Sequence, residues 1–226
     1  IETSVGKLTL KNTLANAHAT IVNTQGVVFA TSSVNGDLSV TATTGTITQT
    51  GALTVGGTGS FKTTTDDQAI TLDTSTNAIT GEVDFTTNTS AAAGSGAGHV
   101  IFDNGTTDVV FGVSTIAGDL TVISGNASGI TDNGTVTVDG DVSLTTDANS
   151  GVINMNQLAQ TALAGNTLLL NTDGSGAATI VNTQGVNLAG NTGIGTTSIT
   201  ATTGTITQTG ALIVGGTGSF KTTTDD

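Results

Sequence analysis

The chain's 226 residues include 32 Gly, six Phe and no Pro, Cys, Trp or Tyr, and only 9 % are charged; Thr, Ser, Asn and Gly dominate. Seventeen acids against four Lys and no Arg give a formal net charge of −13, which excludes a phosphate-neutralising nucleic-acid surface and any attraction to an anionic membrane. The absence of Cys excludes a disulfide framework and a thiolate metal site, and no apolar run approaches the ~18 residues of a membrane span.

Short strands are expected wherever Gly or a polar residue leads into two alternating apolar positions. In chain order these are GKLTL (6–10), GDLSV (36–40), GALTV (51–55), QAITL (68–72), GEVDF (81–85), GHVIF (98–102), GDLTV (118–122), GTVTV (134–138), GDVSL (140–144) and GVINM (151–155). Period 2 places Leu38 with Val40, Leu53 with Val55, and Leu120 with Val122 on one face, with the intervening Thr, Ser or Asp on the other. Turns are expected at NTQG (23–26 and 182–185), DNGT (103–106 and 132–135) and NTDG (171–174). The segment NQLAQTAL (156–163) fits either one or two helical turns or a strand with a turn.

The strongest signal is a repeat. Residues 200–226 match 41–67 at 26 of 27 positions, Thr54 and Ile213 being the difference, and 42 of 67 positions match between 1–67 and 160–226. Thr41 recurs as Thr200 and Asp67 as Asp226, so a 159-residue super-repeat sets the same offset throughout. The chain opens at Ile1-Glu2-Thr3, and its second copy stops at Asp226, where a QAITLD-like strand is due, so a fragment of a longer array is expected.

Short strands between Gly, Asn and Asp can build a sandwich, a barrel or a solenoid. A closed barrel is finite, whereas in a solenoid each coil contacts only its neighbours and repetition is unlimited. Without Pro, every coil can donate its N–H groups to the next. The expectation is therefore one continuous all-β domain over 1–226, a right-handed parallel β-helix. At about 20 residues per coil it would have roughly eleven coils, forming a rod about 50 Å long.

The GxLTV pattern, set among Asn-, Thr- and Gly-rich turns along the whole chain, resembles the filamentous-haemagglutinin-like exoproteins of bacteria. The resemblance implies a right-handed parallel β-helix that is secreted and displayed at the cell surface. The secretion-domain signature of that family is not present here.

Each chemical possibility meets a simpler reading. Catalytic β-helices need paired carboxylates or cationic groups beside the reacting bond. The acids here are Asp66-Asp67, Asp103/Asp108, Asp139/Asp141 and Asp225-Asp226, and turn carboxylates facing solvent account for them. His18 and His99 are far apart, and His18 becomes Ala177 in the second copy, which points to surface or half-buried histidines. GGTGSF (56–61 and 215–220) is similar to a calcium-binding nonapeptide, but Phe61 and Phe220 stand where the Asp ligand belongs. Asp139-Gly140-Asp141 is the one remaining weak calcium candidate. Threonine triplets at 41–43, 46–48, 63–65 and 135–137 raise ice binding, although they do not return once per coil. Asn88, Asn104, Asn126 and Asn133 head glycosylation sequons.

No residue is assigned a catalytic, cofactor-binding or metal-ligating role, and no cofactor is expected. The function expected is a structural or adhesive extracellular repeat protein, not an enzyme, forming a rod, stalk or filament at a bacterial surface. The alternative is a carbohydrate- or ice-binding module using Thr/Asn-rich faces. Expected partners are copies of itself, end to end or laterally, or glycans of a host or neighbouring cell.

Overall fold

In the computed structural model, residues 7–89, 97–147, 150–161 and 165–224 are described. Every motif from GDLSV (36–40) onward becomes a strand, and Leu8 of GKLTL forms an isolated parallel bridge to Phe29. The strands stack in parallel, one turn above the last, as a β-solenoid. No helix occurs among the described residues, and NQLAQ completes the strand Ile153–Gln160; residues 162 and 163 of that segment lie outside the described residues.

Face 1 carries twelve strands in ten rungs, beginning at Ala19–Asn23 and ending at Gly218–Thr222. Two of its rungs are split, into Val109–Phe111 with Ser114–Ile116 and into Ile130–Asp132 with Val136–Val138. Face 2 is a nine-stranded ladder from Val27–Phe29 to Ile206–Gln208, one rung per turn. A third face closes the turns near either end, with four strands in the first half and two in the second.

There are thus about nine turns rather than eleven, because the average turn is longer than the motif spacing suggests. Turn length also varies along face 2. Val27 stacks on Ile47, but Ile70 stacks on Val100 and Val142 on Leu168, and the loops between those later pairs are longer. Ten rungs at the usual spacing give a rod of about 43 Å.

Forty buried apolar residues form one cluster through all the turns, so the solenoid has a single core. Leu38, Val40, Leu53, Val55, Leu120 and Val122 are all 0–1 % exposed, as the third-and-fifth-position rule requires. Four phenylalanines pack together in the core. Phe85 stacks on Phe61 from the rung below (5.8 Å, 20°) and meets Phe102 and Phe111 at 5.4 and 6.3 Å. Burying one such ring contributes roughly 1.5–3 kcal/mol.

The sequence repeat and the winding do not coincide. On face 2 the stack runs Val27–Ile47–Ile70–Val100–Leu120–Val142–Leu168–Leu188, so seven turns carry Val27 to Leu188. The sequence repeat carries Val27 to Val186, two residues behind that stack. Face 1 shows the same slip: the column of Phe61 and Phe85 continues through Ser114, Val136, Leu158, Asn182 and Ala201 to Thr222, not Phe220. A slip of two preserves which side chains point inward; a slip of one would turn the core out.

Candidate functional site

The polar side chains are organised by the ladder. At the corner before face 1, Asp37 N–H donates to His18 Nδ1 at 2.9 Å, and Asp37 Oδ2 lies 3.0 Å from the same nitrogen. Asp37 Oδ1 in turn accepts the Thr58 N–H one turn on, at 2.8 Å. The corner before face 2 repeats the device. Asp119 N–H donates to His99 Nδ1 at 3.1 Å, Asp119 Oδ1 accepts the Asp141 N–H at 2.9 Å, and Asp141 Oδ1 accepts the Thr167 N–H at 2.6 Å. Each carboxylate satisfies a backbone donor of the next turn that the strand ladder does not reach.

This explains Gly57 of GGTGSF and Gly140, which leads GDVSL. A Cβ on Gly57 would lie 2.2 Å from Asp37 Oδ1, and one on Gly140 would lie 2.2 Å from Asp119 Oδ1. Gly leaves the space through which the carboxylate below reaches upward. His18 and His99 are thus corner residues whose side chains are 61 % and 36 % exposed, as the sequence suggests.

A second ladder runs inside. Asn182, fully buried, accepts the Gln160 N–H on Oδ1 (2.8 Å) and donates Nδ2 to the Gln160 carbonyl (3.1 Å). Asn104 does the same to Ile79, at 2.8 and 3.0 Å, and Asn77 Oδ1 accepts the Leu53 N–H at 2.8 Å. In the Asn182 and Asn104 pairs one carboxamide takes the place of a peptide group in the ladder. Threonines stitch the corner after face 1: Thr44 Oγ1 donates to the Thr24 carbonyl, and Thr203 repeats this to Thr183. In the sequence Asn182 and Asn104 read as turn residues, Asn104 also as the head of a sequon, because each partner lies a full turn away along the chain.

The carboxylates are dispersed. Asp139 and Asp141 flank Gly140, but Asp141 is committed to Thr167, while burial raises the Asp139 carboxyl above its usual value. Asp103 Oδ1 accepts the Gly105 N–H at 2.8 Å, and Asp108 offers its carbonyl to Asn104. Burial raises the Asp103 carboxyl, outweighing the Gly105 bond that lowers it, and Asp147 and Asp73 add repulsion. Asp67 occupies a left-handed turn at φ 65 and accepts the Thr89 hydroxyl; Asp225 and Asp226 lie outside the described residues. Among the described residues no group of three His or acidic side chains is placed to hold a metal ion.

On face 1, Asp84 accepts the Ser60 hydroxyl at 2.9 Å, and Asn133 donates to Glu82 Oε1 at 2.9 Å. Burial raises the Asp84 carboxyl more than the Ser60 bond lowers it, with Glu82 raising it further. Gly59-Ser60-Phe61 of the GGTGSF motif opens a strand, and Phe61, 1 % exposed, belongs to the core. The threonine triplets do not share a face: on face 1 Thr41 is half-buried and Thr63 buried, and Thr48 lies on face 2. Of the sequon asparagines, Asn104 is fully buried in its peptide pair, whereas Asn133 is exposed.

Parallel rungs over one core, tied by carboxylate and carboxamide ladders, define a tandem-repeat β-solenoid protein. The chain belongs to the DUF5649 family, repeats of unknown function, which it matches over residues 15–86, 97–167 and 175–226. Two of these units fill one super-repeat and the third begins the next. No curated protein and no solved structure matches the chain.

Proposed function

We propose that the chain is a structural or adhesive extracellular repeat protein, non-catalytic, forming a rod, stalk or filament at a bacterial surface. In this reading it is akin to the filamentous-haemagglutinin-like exoproteins, and its partners are copies of itself or glycans of a neighbouring or host cell. The observation that carries the reading is the uninterrupted nine-rung face 2 over a single core, an architecture that generates length. The carboxylates add support: Asp37, Asp103, Asp119 and Asp141 are each committed to a backbone N–H. Immunogold labelling of intact source cells with antibodies against the chain tests it. Gold on the outer surface supports the reading, and gold confined to the cytoplasm overturns it.

A second reading, binding of carbohydrate or ice, draws on the outward column Val28–Thr48–Thr71–Ile101–Thr121–Ser143–Leu169 on face 2. Thermal hysteresis, or capture on a glycan array by the monodisperse chain, would favour it.

A further inference from the structure

The ladder of face 1 swells and subsides in its middle. Val83 to Thr86 is three steps along the chain, but their partners Phe111 and Thr115 are four apart. Phe111 to Ser114 is three steps, and their partners Asp132 and Val136 are again four apart. The surplus is then given back. Thr131 to Val136 is five steps against four from Asn154 to Leu158, and Met155 to Leu158 is three against two from Ile180 to Asn182. An extra residue in a rung has no partner and bends its strand out of the sheet. On the first swollen rung that residue is Val113, an aliphatic side chain left 69 % exposed.

Against this swelling lies a hollow of about 300 Å³, over the rungs Leu38–Ala42, Gly59–Thr63 and Glu82–Thr86. All three rungs are interior to the stack, with further rungs of face 1 on either side. Two outward columns supply the polar lining, Ser39–Ser60–Asp84 and Thr41–Lys62–Thr86, and Val113 closes the hollow on the side of the swelling. Gly112 lets the wall form, since a Cβ there would strike the Asp84 carboxylate and crowd that of Glu82. Asp84 is half-buried and steadied by the Ser60 hydroxyl at 2.9 Å, while Glu82 is tied to Asn133 of the swelling at 2.9 Å.

The lining suits an uncharged polyol. Ser and Thr hydroxyls both donate and accept, a carboxylate accepts and an ammonium donates, which together complement a ring of hydroxyls. Val113 adds an aliphatic flank for the C–H groups of such a ring. Lys62 and Asp84 offset each other in charge, and Glu82 beside them disfavours a phosphate, sulfate or carboxylate ligand. The volume stands at the lower end of the range of about 300–1,000 Å³ that small-molecule sites occupy. We propose that this hollow on face 1 is a glycan-binding subsite for one uncharged pyranose ring, whose hydroxyls bond the Asp84 carboxylate and the Lys62 ammonium and whose C–H face packs on Val113. A hydroxyl donated to a carboxylate makes a charge-assisted bond, stronger than a neutral one. Asp84 gains by it, because in the free chain the effect of its burial outweighs that of the Ser60 bond.

The inference rests on the reading in which glycans are partners of the chain, and gives that reading a site. The test is binding of the full chain, over a concentration series and detected by antibody, to an array of immobilised uncharged, sialylated and sulfated oligosaccharides. The wild type is expected to bind uncharged oligosaccharides. Asp84→Asn keeps the shape of its side chain, and Val113→Asp changes an exposed one, so both are expected to keep the wild-type β-sheet circular dichroism spectrum. Each is expected to weaken binding at least about tenfold, through loss of a charge-assisted hydrogen bond or of the apolar flank. Thr121→Glu, on the outward column of face 2, is expected to bind as the wild type does. A wild type that binds no oligosaccharide, or only sialylated and sulfated ones, overturns the proposal. So does binding that survives both hollow variants; if Thr121→Glu abolishes it, the glycan reading stands and the site is on face 2. Surface labelling is read independently, so failure of the cell-surface reading is distinguishable from failure of this subsite.

Discussion

The side chain of Asn182 occupies the place of a peptide group, receiving the Gln160 N–H at 2.8 Å and returning a hydrogen bond to the Gln160 carbonyl at 3.1 Å. Both bonds lie away from water. Asn182→Leu is therefore expected to lower the unfolding free energy by about 1–3 kcal/mol in urea titration, the cost of leaving buried backbone groups unpaired. Asn156→Leu, on the exposed side, is expected to stay within about 0.5 kcal/mol.

Phe85 lies at the centre of the aromatic cluster, in contact with Phe61, Phe102 and Phe111. Phe85→Ala should cost about 3–5 kcal/mol, because the neighbouring rungs are held by their ladders and cannot collapse into the space. Phe220→Ala, at a half-exposed ring, should cost about 1 kcal/mol or less. Guanidinium titrations of the two variants give the comparison.

Gly129 has φ +70, and a Cβ there would lie 1.8 Å from the Val152 carbonyl oxygen of the next turn. Gly129→Ala is expected to destabilise by more than about 1 kcal/mol, through both backbone strain and the broken approach of two turns. Gly190→Ala, where the nearest atom is 3.4 Å away, is expected to be neutral within about 0.5 kcal/mol. Thermal melts of the two variants decide this.

The carboxyls of Asp84, Asp103 and Asp139 are all raised above the ordinary value of 3.8, burial being the leading cause in each. Each holds its proton more tightly folded than unfolded, so the folded chain binds more protons in the window just above 3.8. Unfolding free energy from these groups falls as pH rises through that window and is lower at neutral pH. The melting temperature should therefore rise on acidification from pH 7 toward the carboxylate range. Asp139→Asn should raise it at pH 7 and flatten its dependence on pH.

The strands are legible in the sequence because Leu38 and Val40, like Leu120 and Val122, keep strict alternation beside a leading Gly. The solenoid is legible because such motifs recur without a closing limit. The length of a turn is not, since the chain between Ile70 and Val100 makes one turn just as the much shorter stretch between Val27 and Ile47 does. Without that length no cross-turn pair can be assigned. His18 gives no sign that it meets Asp37, nor Asn104 that it meets Ile79. Both look like solvent-facing polar residues until the rungs are laid over one another. Gly57 of GGTGSF and the leading Gly140 read as turn residues, although their purpose is to admit a carboxylate from below.

The two-residue lag between sequence copy and stack changes what a partner would meet on the outside. Such a lag corresponds to about 7 Å of travel around the girth, against about 34 Å of rise in seven turns. Identical side chains in the two copies, such as Thr48 and Thr207, are therefore not aligned along the axis but set on a shallow spiral stripe. A bivalent ligand gripping both copies would have to lean with that stripe, and two rods lying side by side could match their copies only by coiling around each other.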